Sequence, residues 1–154
     1  MEERKIILGA DHAGFALKEH LKTFLKKEGW QVTDVGTNTD AESCDYPEIA
    51  FSVAEKVAGE EFPFGVLVCG SGQGMAISAN KVAGVRAVSC QDTISAVLSR
   101  SHNDACILCL GGRLTTPLVA EEILKVFLQT PFTGGRHQRR IAQISDYEKE
   151  KEGQ

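Results

Sequence analysis

Five short apolar runs alternate with stretches of helical periodicity along this chain, and no hairpin turn signal joins any two of them. Strands separated by a helix's length of chain pair in parallel through right-handed crossovers, with helices on both faces. The expectation is therefore a three-layer α/β/α Rossmann-like fold with a five-stranded parallel sheet. Strands are expected at Lys5–Ala10, Trp30–Val35, Phe64–Cys69, Val85–Cys90 and Ala105–Leu110. In the first helix Leu17, Leu21, Phe24 and Leu25 share a face and Lys18, Lys22, Lys26 and Glu28 read as solvated, with Gly29 as the stop. Asp45-Tyr46-Pro47-Glu48 carries cap signals for a second helix with Ile49, Val53 and Val57 inward. Further helices are expected over Gln73–Val82 and Asp92–Arg100, and from Thr116-Pro117 with Val119, Ile123, Val126 and Phe127 inward. A last helix, about 136–152, has few apolar positions and is expected to lie across another surface, that of a partner subunit. At 154 residues the whole chain, 1–154, reads as one domain.

A net charge of −4 argues against sequence-independent nucleic-acid binding. No apolar stretch approaches the roughly 20 residues of a membrane span, and Met1–Lys5 leads into a strand without a signal-peptide core, so a cytoplasmic protein is expected. Cys44, Cys69, Cys90, Cys106 and Cys109 are an odd set that fits reduced thiols better than a disulfide framework. Cys106 and Cys109 have redox or zinc spacing, but in an apolar strand residues three apart face opposite sides.

The stretch Phe64–Gly74 carries the chemistry. An apolar strand ends at Cys69, then Gly70, Gly72 and Gly74 alternate before an alanine-rich helix. Strand, glycine loop and helix start aim backbone N–H groups at the strand's C-terminal end, where open α/β sheets bind ligands. Cys69 there reads either as a base or nucleophile in an electropositive pocket, or as a buried structural thiol behind a phosphate-binding loop. A dinucleotide fingerprint starting at Gly70 would need glycine at Met75, no P-loop is present, and a hydrolase elbow around Ser71 would need glycine at Cys69 and Gln73. A cysteine phosphatase loop would need arginine at Met75.

Other polar groups stand at strand ends: Asp11-His12, Asp45-Tyr46, His102-Asn103-Asp104 and Arg113. Asp11 and Asp45 equally suit helix capping, and His102 suits a surface loop. Arg136 and Arg140, four apart, form either a solvated basic face or a fork for a phosphate dianion, with His137 and Arg139 sharpening the local charge. Together they suggest a small phosphorylated, hydroxyl-rich substrate.

Gly-Ala-Asp-His-Ala-Gly-Phe, Asp-Tyr-Pro, Cys-Gly-Ser-Gly-Gln-Gly, Ala-Asn-Lys-Val-Ala-Gly-Val-Arg, Ser-Arg-Ser-His-Asn-Asp and Gly-Gly-Arg-His-Gln-Arg-Arg, in that order, closely resemble the ribose-5-phosphate isomerase type B family nearly end to end. The resemblance implies an aldose–ketose isomerase without metal or organic cofactor. It makes Cys69 the general base, the glutamate some members use being Met75 here, and His102 the group that opens the furanose ring, assisted by Asp11 or Tyr46. Ser71, Asn103 and the amides of Gly70, Gly72 and Gly74 would hold the reacting oxygens, and His12, Arg113, Arg136 and Arg140 the phosphate. The resembled family places its sites at a twofold interface, which implies a homodimer or a tetramer of dimers. The wider family adds allose- and galactose-6-phosphate isomerases as alternatives, and a non-catalytic phosphosugar-binding protein would keep the arginines without needing Cys69 and His102.

Overall fold

Five strands, β1 (Lys5–Ala10), β2 (Gln31–Asp34), β3 (Phe64–Cys69), β4 (Ala87–Ser89) and β5 (Ile107–Gly111), pair in parallel in the order β2-β1-β3-β5-β4. The computed structural model describes residues 3–153; Met1, Glu2 and Gln154, at the ends of the expected 1–154 domain, lie outside them. Among the described residues there are six helices: α1 (Phe15–Lys27), α2 (Tyr46–Ala58), α3 (Gln73–Ala79), α4 (Thr93–Asn103), α5 (Pro117–Gln129) and α6 (Arg136–Glu152).

Alternation along the strands divides the core. Ile6, Leu8, Val66, Val68, Leu108 and Leu110 meet α1, α5 and Ala96 of α4 on one face, while Ile7, Leu67, Ile107 and Cys109 meet α2 and α3 on the other. Strand β3, paired on both edges and covered on both faces, has no solvated side, which is why Val66-Leu67-Val68 is uninterruptedly apolar. The three-layer parallel architecture expected from the sequence is the one observed.

Several details differ. Lys18 is fully buried rather than solvated: its Nζ reaches both carboxylate oxygens of Asp34 at 2.8 and 2.9 Å and the Thr37 carbonyl at 2.5 Å. At 100° per residue Lys18 stands about 20° from Leu25 on the helix circumference, well within the apolar stripe. Lys22 adds a 2.9 Å contact to the same carboxylate. Burial pushes the Asp34 carboxyl up, but hydrogen bonds from Lys18, Lys22 and the Gly36 amide outweigh it and hold it below its ordinary value.

Helix α5 buries Ala120, Ile123, Leu124 and Phe127, an i, i+3, i+4, i+7 face, and leaves Val119, on the other side of Ala120, exposed. Asp45 is the N-cap of α2 but accepts no side-chain capping bond; Pro47 supplies the start instead. Cys106 lies before β5, so strand alternation does not yet apply to it, and it packs with Cys109 against the same core rather than on the opposite face. Its Sγ accepts the Arg86 amide at 3.4 Å. Helix α3 is shorter than expected and α4 longer, running through His102 and Asn103.

Candidate active site

The order of strands across the sheet reverses at β1: β2 is added on one side and β3 on the other, with all strands parallel, so a crevice opens at the C-terminal ends of β1 and β3. Cys69, the last residue of β3, sits at its floor with only 4% of its surface exposed. Its Sγ accepts the Gly72 amide at 3.1 Å. That geometry depends on Gly72, the N-cap of α3, whose φ of +83° is a left-handed conformation natural to glycine. The Ser71 hydroxyl accepts the Gln73 amide at 3.3 Å, and the first bond within α3 runs from the Ala76 amide to the Gly72 carbonyl. The Gly74 amide therefore lies in the turn whose N–H groups have no helical acceptor.

Asp11, buried at the end of β1, ties that strand to β3 through its amide and the Val68 carbonyl, 3.1 Å apart. Its Oδ1 accepts the Gly14 amide at 3.0 Å, closing the turn before α1, whose N-cap is Gly14 rather than Asp11, and its second oxygen is left over for other chemistry. His12 accepts the Cys44 amide on Nδ1 at 3.2 Å, so in its neutral form the proton resides on Nε2, free to donate. The Tyr46 ring, from the first turn of α2, fills the space over Gly74: a β-carbon there would stand 2.8 Å from the phenol oxygen. Arg113 donates its amide to the Gly70 carbonyl at 3.0 Å and lays its guanidinium across Gly70. Cys69, Ser71, Gly70, Gly72, Gly74, Asp11, His12, Tyr46 and Arg113 thus share one edge of the sheet. Met75, where an acid would offer a second base, is buried in the core.

The remaining predicted residues are elsewhere. Helix α4 runs from the C-terminal end of β4 back toward the start of β5, so His102 and Asn103 in its last turn lie at the opposite, N-terminal edge. Arg100 marks that edge, with its guanidinium 4.9 Å from the centroid of Phe64, the first residue of β3. Phe64 and Cys69 are separated by roughly 16 Å of extended strand. The expectation that His102 and Asn103 share a crevice with Cys69 is therefore corrected for a single chain: residues that immediately precede a parallel strand lie at its far end.

Arg136 and Arg140 belong to the His102 edge as well. Thr133 donates both its amide, at 3.0 Å, and its hydroxyl, at 2.7 Å, to the Ser101 carbonyl, which starts α6 beside the end of α4. Both arginines are exposed on the first turns of α6, and His137 between them stacks on His102 with ring centroids 4.1 Å apart and an interplanar angle of 11°. No local sequence signal marks this pair, since 35 positions separate its members. Among the described residues no group of three or more His, Cys, Asp or Glu side chains has the arrangement of a metal centre. No helix among them is long and apolar enough to cross a membrane.

Comparison with known proteins agrees with this architecture. Ribose-5-phosphate isomerase B of Escherichia coli is 44% identical over 145 residues, covering 94% of this chain and 97% of that one. The D-erythrulose-4-phosphate isomerase of Pectobacterium atrosepticum is 37% identical over 149 residues, covering 97% and 98%. The crystal structure of ribose-5-phosphate isomerase B from Mycoplasma genitalium with bound ribulose-5-phosphate superposes with a TM-score of 0.91 at 41% identity, over 95% of this chain and 97% of that one. The profile of the family described as Ribose/Galactose Isomerase matches residues 6–144. The chain belongs to the Ribose/Galactose Isomerase family and is an isomerase.

Proposed function

We propose that this enzyme interconverts ribose 5-phosphate and ribulose 5-phosphate, in a site completed by a second copy of the chain. The observation that carries the chemistry is the Cys69 sulfur, fixed by the Gly72 amide at the mouth of a glycine loop beside Asp11 and Arg113. With the sugar ring open, thiolate Cys69 takes the proton from C2 of the aldose, and the electron pair moves onto the carbonyl oxygen to give a cis-enediolate. Ser71 and the loop amides, Gly74 among them, stabilise the negative oxygen. A proton then passes from the C2 hydroxyl to the C1 oxygen, and the thiol returns its proton to C1 as the C2 carbonyl forms. General base catalysis supplies about 10²- to 10⁴-fold and one oxyanion donor roughly 10²- to 10³-fold, so both contribute substantially.

Ring opening is assigned to His102, assisted by Asp11 or Tyr46, and phosphate binding to His12, Arg113, Arg136 and Arg140, with Asn103 on the sugar. In one chain these groups stand at two edges of the sheet, and a homodimer brings the second set to the first. Exposed apolar side chains support such an association: Ile94 and Leu98, one turn apart on α4, and Leu114 and Leu118 beyond β5. α6, with Ile141 as its buried residue, then serves as a bridge between copies.

A second reading keeps the mechanism and changes the sugar, since one relative that matches nearly end to end is named for a four-carbon substrate. A coupled assay for ribulose 5-phosphate formation with chelator present, run beside erythrulose 4-phosphate, allose 6-phosphate and galactose 6-phosphate, separates the two. The highest kcat/KM is expected for ribose 5-phosphate; a tenfold or greater preference for another sugar phosphate would reassign the substrate.

A further inference from the structure

We infer that His137 is a positioning residue for His102, holding the imidazole by stacking so that it presents a nitrogen edge to the substrate. The inference rests on the assignment of ring opening to His102. The contact is built by anchored backbone. Thr133 fastens the approach to α6 onto the carbonyl of Ser101, the residue next to His102. Farther along, the Glu148 carboxylate accepts the Gly84 amide at 2.9 Å, so α6 is held at two points.

A histidine in the last turn of a helix otherwise samples several rotamers. Stacked at 4.1 Å and 11°, one face of the His102 ring is covered and its two nitrogens are left at the rim. Ring opening requires the group both to give and to take a proton, so its neighbour must tolerate either charge state. His137 suits this: loss of water contact, then the neighbouring His102, Arg136 and Arg140, lowers its pKa from the ordinary imidazole value and so favours its neutral form. A neutral aromatic face is compatible with an imidazole and favourable to an imidazolium.

The test compares His137→Ala with His137→Phe in the full-length protein, since phenylalanine keeps the stack and loses the nitrogens. NMR of the ligand-free protein reads the stack directly. The His102 ring protons should be shifted upfield in wild type and His137→Phe and return toward ordinary values in His137→Ala. With ribose 5-phosphate, His137→Ala should lose about three- to tenfold in kcat with KM within twofold, and His137→Phe should recover most of the loss. Solvent-deuterium incorporation at C1 of ribulose 5-phosphate, which needs no ring opening, should be unchanged in both variants. An unshifted His102 resonance in wild type overturns the inference whatever the activity. So does a His137→Phe variant as slow as His137→Ala, or an alanine variant that raises KM at unchanged kcat, which would make His137 part of the phosphate site. A wild-type protein that shows the upfield shift but does not isomerise ribose 5-phosphate would instead overturn the assignment of function, and the catalytic role with it.

Discussion

The Gly72 amide donates to the Cys69 sulfur across 3.1 Å, so the glycine that turns the chain into α3 also orients the atom proposed to move the proton. Removing the sulfur should remove the base and leave the loop. Cys69→Ala is expected to lose at least about 10²- to 10⁴-fold in isomerisation. Phosphosugar binding by calorimetry should change little, because the loop amides and the arginines survive. Deuterium exchange at C2 of ribose 5-phosphate should vanish with the activity; a variant retaining a tenth of wild-type turnover would assign the base elsewhere.

His102→Asn should separate ring opening from proton transfer. Ribulose 5-phosphate is acyclic, so its exchange of C1 hydrogen with heavy water bypasses the ring step, whereas conversion of cyclic ribose 5-phosphate does not. The variant is expected to keep near-normal exchange while kcat on ribose 5-phosphate falls by about 10²-fold, the lower range for a lost acid–base group. Equal losses in the two measurements would give His102 a step common to both.

The Lys18–Asp34 pair makes a stability prediction independent of catalysis. Asp34→Asn leaves a fully buried ammonium without its carboxylate and should cost about 3–5 kcal/mol in urea unfolding. Lys18→Met should cost less, because Asp34 keeps Lys22. The folded-state pKa of Asp34 is depressed, so its contribution is fully present above the ordinary carboxylate range near pH 4 and is lost as pH falls through the folded value. The stability gap between wild type and Asp34→Asn should be constant from pH 8 to 5 and narrow below about pH 4. A gap that narrows as pH rises over the neutral range would contradict the pairing.

What the sequence made legible follows from burial. β3 was readable to the residue because a central parallel strand has no polar side, and the glycine loop because few backbones other than a strand-to-helix turn use glycine at alternate positions. Lys18 was misread because residue type was weighed above angular position, although its place beside Leu25 on the wheel marked it as inward. That His102 lies at the far edge of its own chain's sheet from Cys69 follows from its position before β5 rather than after it. The His102–His137 stack and the Asp34 partnership join elements far apart in the chain, and no local pattern encodes them.

The central claim, a thiolate base in one chain served by groups from another, is tested most directly by mixing two inactive proteins. Arg136→Ala alone should lose about 1.5–3 kcal/mol of substrate binding, the value of a charge-assisted hydrogen bond, so at low substrate concentration it is nearly silent, as is Cys69→Ala at any concentration. Under subunit exchange, random pairing makes half of all dimers mixed. Each mixed dimer has one site with both Cys69 and Arg136 intact if the two come from different chains. Activity at low ribose 5-phosphate should then rise to about a quarter of wild type. Dimers that exchange, as shown by mass-tagged subunits, yet regain no activity would put Cys69 and Arg136 of each site on one chain and contradict the account.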